Sequence, residues 1–290
     1  MLIGLLRQLA RLPLSWIQAA GAIIGWIVYF SSPAYAARLR ENLLQSGLCR
    51  DEKDFQRVLR RNIAEAGRSG SELVAVWFRP VAASLRLVVR SSPITASEEA
   101  ERRGRGVIYL SPHLGCFELA ALWLAQRRPM TVLYRPPRKA YLQPLIDAGR
   151  GRDRVHLAPA SLGGVRLLLK ALRRGEAVGI LPDQVPANGE GAWVDYFGRP
   201  AYTMTLIGKL VEATGATIVL FAGIRLPHGA GYAVHLEQFD GDCTGADGLR
   251  TLNATMERMV ALDPAQYLWS YNRYKVPSGV RPPDVNEGRP

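Results

Sequence analysis

The segment Gly106–Gln126 reads GVIYLSPHLGCFELAALWLAQ. Its opening run, Gly106-Val107-Ile108-Tyr109-Leu110, is short, apolar and rich in β-formers, the pattern of a buried strand. A turn follows, Ser111-Pro112-His113-Leu114-Gly115, and then an apolar helical pattern with Glu118 in its first turns. On one continuous helix, His113 and Glu118 would point about 140° apart. They can meet only if His113 lies on the loop and Glu118 inside the helix, and Pro112 and Gly115 favour that break. A neutral His is a competent general base near neutral pH, and a carboxylate on its second ring nitrogen fixes the tautomer and stabilises the imidazolium. No Ser or Cys nucleophile is needed if the substrate brings its own hydroxyl. The alternative is a loop His beside an unrelated surface acid.

From Leu85 onward the pattern alternates strand and helix. Strands are expected at 85–89, 106–110, 131–134, 155–158, 177–181, 217–222 and 232–237. Helices are expected at 117–126, 140–148, 163–173, 202–213 and 248–261. This alternation predicts an α/β fold with a mostly parallel central sheet covered by helices on both faces. Sites in such sheets lie at the carboxyl ends of the strands. The His113 loop, Tyr134-Arg135-Pro136-Pro137-Arg138-Lys139 and Pro182-Asp183-Gln184 all fall there. Upstream, 36–46 and 51–78 read as two helices, the second starting at Asp51-Glu52 and stopping before Pro80.

Leu14–Phe30 carries no charge, with Trp16, Trp26 and Tyr29 near its ends. A helix of that length spans about 25 Å, slightly short of a ~30 Å hydrocarbon core. A transmembrane helix, an interfacial anchor and a signal peptide ending near Ala34-Tyr35-Ala36 all remain open. The expected organisation is an anchor over 1–35, a catalytic domain over 36–276 and a loose tail over 277–290. The net charge of +12 predicts anionic partners. No groove-reading or base-stacking motif points to nucleic acid. The three cysteines, Cys49, Cys116 and Cys243, show neither disulfide nor metal spacing, and none of the four histidines is paired at ligand spacing. No metal and no cofactor is therefore expected. Cys116 reads as a small core residue rather than a nucleophile.

Taken together, these pieces resemble the late (secondary) lipid A acyltransferases of Gram-negative bacteria. The resemblance rests on His113-x4-Glu118, Arg135-Pro136-Pro137, Pro182-Asp183-Gln184 and Tyr196-Phe197-Gly198-Arg199-Pro200-Ala201. It also rests on Asp263-Pro264-Ala265-Gln266-Tyr267-Leu268-Trp269 and Arg273-Tyr274-Lys275. It extends from the N-terminus to about residue 275. It implies a glycerol-phosphate acyltransferase-like architecture on the cytoplasmic side of the bacterial inner membrane. The implied reaction moves a fatty acyl chain from acyl carrier protein to the hydroxyl of a 3-hydroxyacyl chain on a lipid A precursor. The partners are then the carrier, the lipid A precursor and anionic inner-membrane lipids. His113 matches the family's catalytic His and Glu118 its acid. Arg150, with Arg152 as the alternative, and Asp183 match substrate-site residues, and Arg135 lies in the loop expected to bind phosphate or carrier. The chain departs from the family at Cys116, where many members carry Asn. Two other readings fit parts of the sequence: acyl transfer to another membrane lipid or glycolipid, and a basic membrane-bound protein that binds an anionic ligand.

Overall fold

In the computed structural model, residues 2–137 and 139–283 are described. The chain opens with helices α1 (Leu2–Leu9), α2 (Leu14–Ser31), α3 (Pro33–Gln45), α4 (Glu52–Phe78) and α5 (Val81–Leu85). Then come β1 (Val88–Ser91), α6 (Thr95–Arg102), β2 (Val107–Leu110), α7 (Phe117–Ala125) and β3 (Met130–Tyr134). The order continues with α8 (Gln143–Gly149), β4 (Val155–Pro159), α9 (Leu162–Arg173) and β5 (Ala177–Ile180). It ends with β6 (Gly191–Tyr196), β7 (Arg199–Met204), α10 (Leu206–Thr214), β8 (Thr217–Arg225), β9 (Tyr232–Phe239) and α11 (Gly245–Ala261).

Seven strands form one sheet in the order β1-β9-β8-β2-β5-β3-β4. All pairings are parallel except β8 with β9. β2 lies at the centre, and its Val107, Ile108, Tyr109 and Leu110 are all buried, since both faces are covered. Alternate residues feed two cores. Ile108, Leu110, Val178 and Ile180 pack with residues of α9 and α10. Val107, Tyr109, Ala177 and Phe221 pack with α7. The mostly parallel sheet flanked by helices is the architecture the alternation predicts.

Local chemistry sets the element ends. The Asp51 side chain accepts the Asp54 amide at 2.7 Å and caps α4, which stops before Pro80. The Ser161 hydroxyl accepts the Gly164 amide and caps α9.

The expected helix over 202–213 is corrected at its start. Tyr202–Met204 belong to β7, which pairs with β6 as an antiparallel hairpin. Phe197 and Gly198 form its two-residue turn, both at positive φ, and the pairing places Trp193 against Tyr202. Helical spacing of apolar residues across 202–213 masked this strand. Sequence reasoning also missed α1, α5 and α6, which are short.

A buried ionic network ties the long helix to the sheet. The Arg225 Nε donates to Glu72 at 2.7 Å, and its other nitrogens reach Glu65, Glu72 and Ser69. The Tyr232 hydroxyl donates to Glu72 at 2.6 Å, and the Gln266 side chain closes on the Arg225 backbone. Burial would lower the Arg225 pKa, but Glu72 and Glu65 hold it well above its ordinary value. Arg225→Met leaves the buried Glu72 carboxylate without its cation, while Glu65 keeps Arg68. It is expected to cost about 3–5 kcal/mol in denaturant unfolding, partly recovered by adding Glu72→Gln. A loss within about 0.5 kcal/mol would show that the network adds nothing to stability.

Candidate active site

The loop after β2 carries His113 to the carboxyl edge of the sheet. Gly115 sits at φ +59°, and a Cβ there would strike the Gly223 carbonyl, so this close approach of β8 needs glycine. The loop is pinned by the Cys116 amide to Gly223 O at 2.7 Å, the Gly115 amide to Gln266 O at 3.1 Å and the Leu268 amide to His113 O at 3.2 Å. The segment after α11 is fixed in turn by Asn62, which donates to the carbonyls of Ala265 and Tyr267 at 2.8 Å. Asn42 similarly holds Trp269 O and Tyr271 O. The C-terminal motif residues therefore act as scaffold. Arg273, for example, is buried on the Tyr202 carbonyl and the Thr203 hydroxyl.

His113 Nδ1 lies 2.7 Å from Asp183 Oδ1, and the His113 backbone N–H donates to Asp183 Oδ2 at 2.8 Å. Burial by itself would raise the Asp183 carboxyl. The charge of His113, both hydrogen bonds from it and the Arg273 guanidinium bring it net below the usual carboxylate range. An ionised Asp183 accepts from Nδ1–H, so in the neutral imidazole Nε2 is the acceptor. Gln184 Nε2 approaches that nitrogen at 3.2 Å. The Phe117 ring meets the imidazole edge-on at 5.1 Å.

The expected partnership of His113 with Glu118 is corrected here. Glu118 makes a two-pronged ion pair with Arg150 and accepts from Trp77 Nε1 at 3.4 Å; none of its hydrogen bonds among the described residues goes to His113. The helix begins at Phe117, so Glu118 leaves on its first turn toward α4 and α8, while Asp183 reaches His113 from β5, the neighbouring strand. Asp183, expected to bind substrate, is instead buried on the imidazole. Arg150, not Arg152, is the arginine at Glu118. Arg152 donates to the carbonyls of Arg79 and Val76, and Arg154 sits at the amino end of β4 on Gln126 O. Arg135 stands exposed at the carboxyl edge, and Arg138 lies outside the described residues.

His113, Glu118, Arg135, Arg150 and Gln184 all line one cavity of about 470 Å³. It straddles the sheet edge. On the α7 face it passes Ala121, Leu122, Val132, Gly179 and Phe221 and reaches Val155. On the other face it is walled by Leu162, Val165, Met204 and Leu206 from α9, β7 and α10. Lys209 and Glu190 stand at its rim with Arg135. The arrangement sets the His113 imidazole beside one largely apolar cavity lined from both faces of the sheet, with exposed cations at its rim. Cys116 is buried, and burial first, then the Glu72 charge, pushes its thiol well above the ordinary value, which makes a poor nucleophile.

A profile of the family described as bacterial lipid A biosynthesis acyltransferase matches residues 1–276. The lipid A biosynthesis lauroyltransferase of Escherichia coli (strain K12) is 26% identical, over 96% of this chain and 92% of that protein. The lipid A biosynthesis palmitoleoyltransferase of the same strain is 24% identical, over 77% of this chain and 73% of that protein. Its lipid A biosynthesis myristoyltransferase is 25% identical, over 64% and 59% respectively.

Proposed function

The chain belongs to the bacterial lipid A biosynthesis acyltransferase family and is an acyltransferase, and from that premise we propose that it moves a fatty acyl chain from acyl carrier protein to the hydroxyl of a 3-hydroxyacyl chain on a lipid A precursor. The reaction takes place at the cytoplasmic face of the inner membrane, on a glycerol-phosphate acyltransferase-like scaffold. The observation that carries this reading is His113, held at Nδ1 by Asp183, with Nε2 toward a cavity that reaches both faces of the sheet. A cavity lined from both faces of the sheet suits two acyl chains, the donor's and the acceptor's.

In the proposed step the acceptor hydroxyl replaces the Gln184 amide at Nε2. The imidazole takes its proton as the oxygen bonds to the thioester carbonyl carbon. The tetrahedral intermediate then collapses, the C–S bond breaks, and the imidazolium returns the proton to the departing thiolate. Asp183 stabilises the imidazolium between these transfers. The Glu118–Arg150 pair shapes the cavity wall beside Trp77.

The deciding experiment is mass spectrometry of lipid A from cells with and without the gene. A lipid A that lacks one secondary acyl chain in the deletion supports the reading, and an unchanged lipid A overturns it. A further prediction concerns the donor. Arg135, Lys139 and Lys209 are exposed, Arg135 and Lys209 on the cavity wall and Lys139 just beyond Arg135. Attraction between these groups and an acidic carrier is screened over about 8–10 Å at physiological ionic strength. Acyl carrier protein is expected to outcompete coenzyme A as donor, and salt to raise its KM. Equal use of both donors at every salt concentration would refute carrier recognition by charge.

A further inference from the structure

The first forty residues contain Arg7, Arg11, Arg38 and Arg40 and no acid. Within them α2 is apolar all round, with a mean hydropathy of 1.4, yet its two faces have different surroundings. Leu14, Ile17, Gln18, Gly21 and Gly25 are buried against protein. A Cβ on Gly67 would land on the Gly21 carbonyl and the Gly25 backbone, one on Gly25 would land on the Ile63 carbonyl, and one on Gly229 would come 2.9 Å from the Ser15 Cα. The Gln18 amide donates to the Tyr232 hydroxyl at 3.2 Å. So α2 lies in backbone contact with α4 and is braced at its start by the turn after β8.

The opposite face is bare. Trp16, Ile23, Ile27 and Phe30 are 66%, 63%, 58% and 75% exposed, and Ala20 and Ile24 complete one helical stripe with them. On α1, Leu2, Leu5 and Leu9 are exposed at the same spacing, next to exposed Arg7 and Arg11. Opposite the middle of α2, where Gly21 meets Gly67 and Ser71 and Gly25 meets Ile63, α4 carries Glu65, Arg68 and Glu72, and toward the end of α2 it displays exposed Arg57, Arg60 and Arg61. A helix clamped this way cannot stand across a bilayer without carrying the charged groups of α4 opposite its middle, Glu65, Arg68 and Glu72, into hydrocarbon, where charges are strongly disfavoured.

We propose that residues 2–31 attach the protein to one leaflet from one side, with α1 and α2 lying in the plane of the membrane and neither crossing it. The apolar stripe enters by about 5–10 Å, and Arg7 and Arg11 meet the headgroups of anionic phospholipids. Leu14 and Ile17 pack with Val76, which with Trp77 lines the cavity, so the leaflet lies beside the site that a lipid acceptor must reach.

The test needs no catalytic assay and is independent of the proposed reaction. In a Cys49→Ala background, Gln8→Cys and Ala34→Cys place single exposed thiols on either side of α2, while Cys116 and Cys243 stay buried. Sealed inner-membrane vesicles of known orientation are treated with a membrane-impermeant maleimide. Labelling of both positions from the same side supports the in-plane arrangement, and labelling from opposite sides overturns it. In cosedimentation with phosphatidylglycerol–phosphatidylethanolamine vesicles, Ile24→Glu/Ile27→Glu is expected to weaken binding by at least about tenfold. Unchanged binding by that folded variant would also overturn the proposal.

Discussion

Replacing His113 with Ala is expected to lower kcat/KM for acyl transfer by about 10²–10⁴-fold, roughly 3–5 kcal/mol of barrier. The loss follows from removing the group whose Nε2 faces the cavity while leaving the cavity itself. The loop should survive, because its supports are backbone contacts: the His113 N–H to Asp183, the Leu268 amide to His113 O and the Cys116 amide to Gly223 O. Asp183 loses one of its two donors, so a stability loss of about 1–3 kcal/mol is expected beside the rate loss. Cys116→Ala is the matching control. It removes a buried, poorly ionising thiol and should retain most activity, as direct transfer requires. A near-wild-type rate for folded His113→Ala in a lipid A acylation assay would remove His113 from the chemistry.

Asp183→Asn is expected to be nearly as damaging, for a reason visible in the hydrogen bonds. The carboxylate accepts from two N–H groups of the same residue, the His113 backbone and its ring. An amide has one accepting oxygen. The backbone N–H cannot give up its proton, so the oxygen is drawn to it and the NH₂ group turns to Nδ1. That imposes the tautomer with Nε2 protonated, and the base is lost. In serine-protease triads the corresponding change costs about 10⁴-fold. The double variant with His113→Ala should be little worse than either alone, since Asp183 acts through the imidazole.

Stability gives a second readout. The folded-state pKa of Asp183 is depressed, so its pairing contributes above the unfolded value of about 3.9 and is lost as pH falls through the folded value. Wild-type protein should therefore lose stability below about pH 4 more steeply than Asp183→Asn. Glu118→Gln is expected to couple energetically to substitutions of Arg150 rather than of His113. If Asp183→Asn keeps activity within about threefold while Glu118→Gln abolishes it, Glu118 and not Asp183 serves the base.

The sequence was most informative where the governing interactions are local. Val107–Leu110 read as a doubly buried strand because four apolar β-formers in a row can hide only inside a covered sheet. His113 read as a loop residue because Pro112 and Gly115 interrupt any helix before Phe117. The capped ends of α4 and the charge-free run of α2 were legible for the same reason: each is written within a few residues.

The partner of His113 was not legible. Glu118 stands five positions away and Asp183 seventy, and closeness in sequence favoured Glu118, whereas the hydrogen bonds of His113 go to Asp183. What selects Asp183 is strand order. β5 pairs in parallel with β2, Leu110 beside Ile180, so the two following loops emerge together at the same edge. Helix geometry meanwhile sends Glu118 to Arg150. The surroundings of α2 were equally hidden, because hydropathy measures how apolar a helix is and not which face another helix already covers. Long-range pairing and close backbone approach at Gly21, Gly25 and Gly67 decide that, and they exist only once the chain has folded.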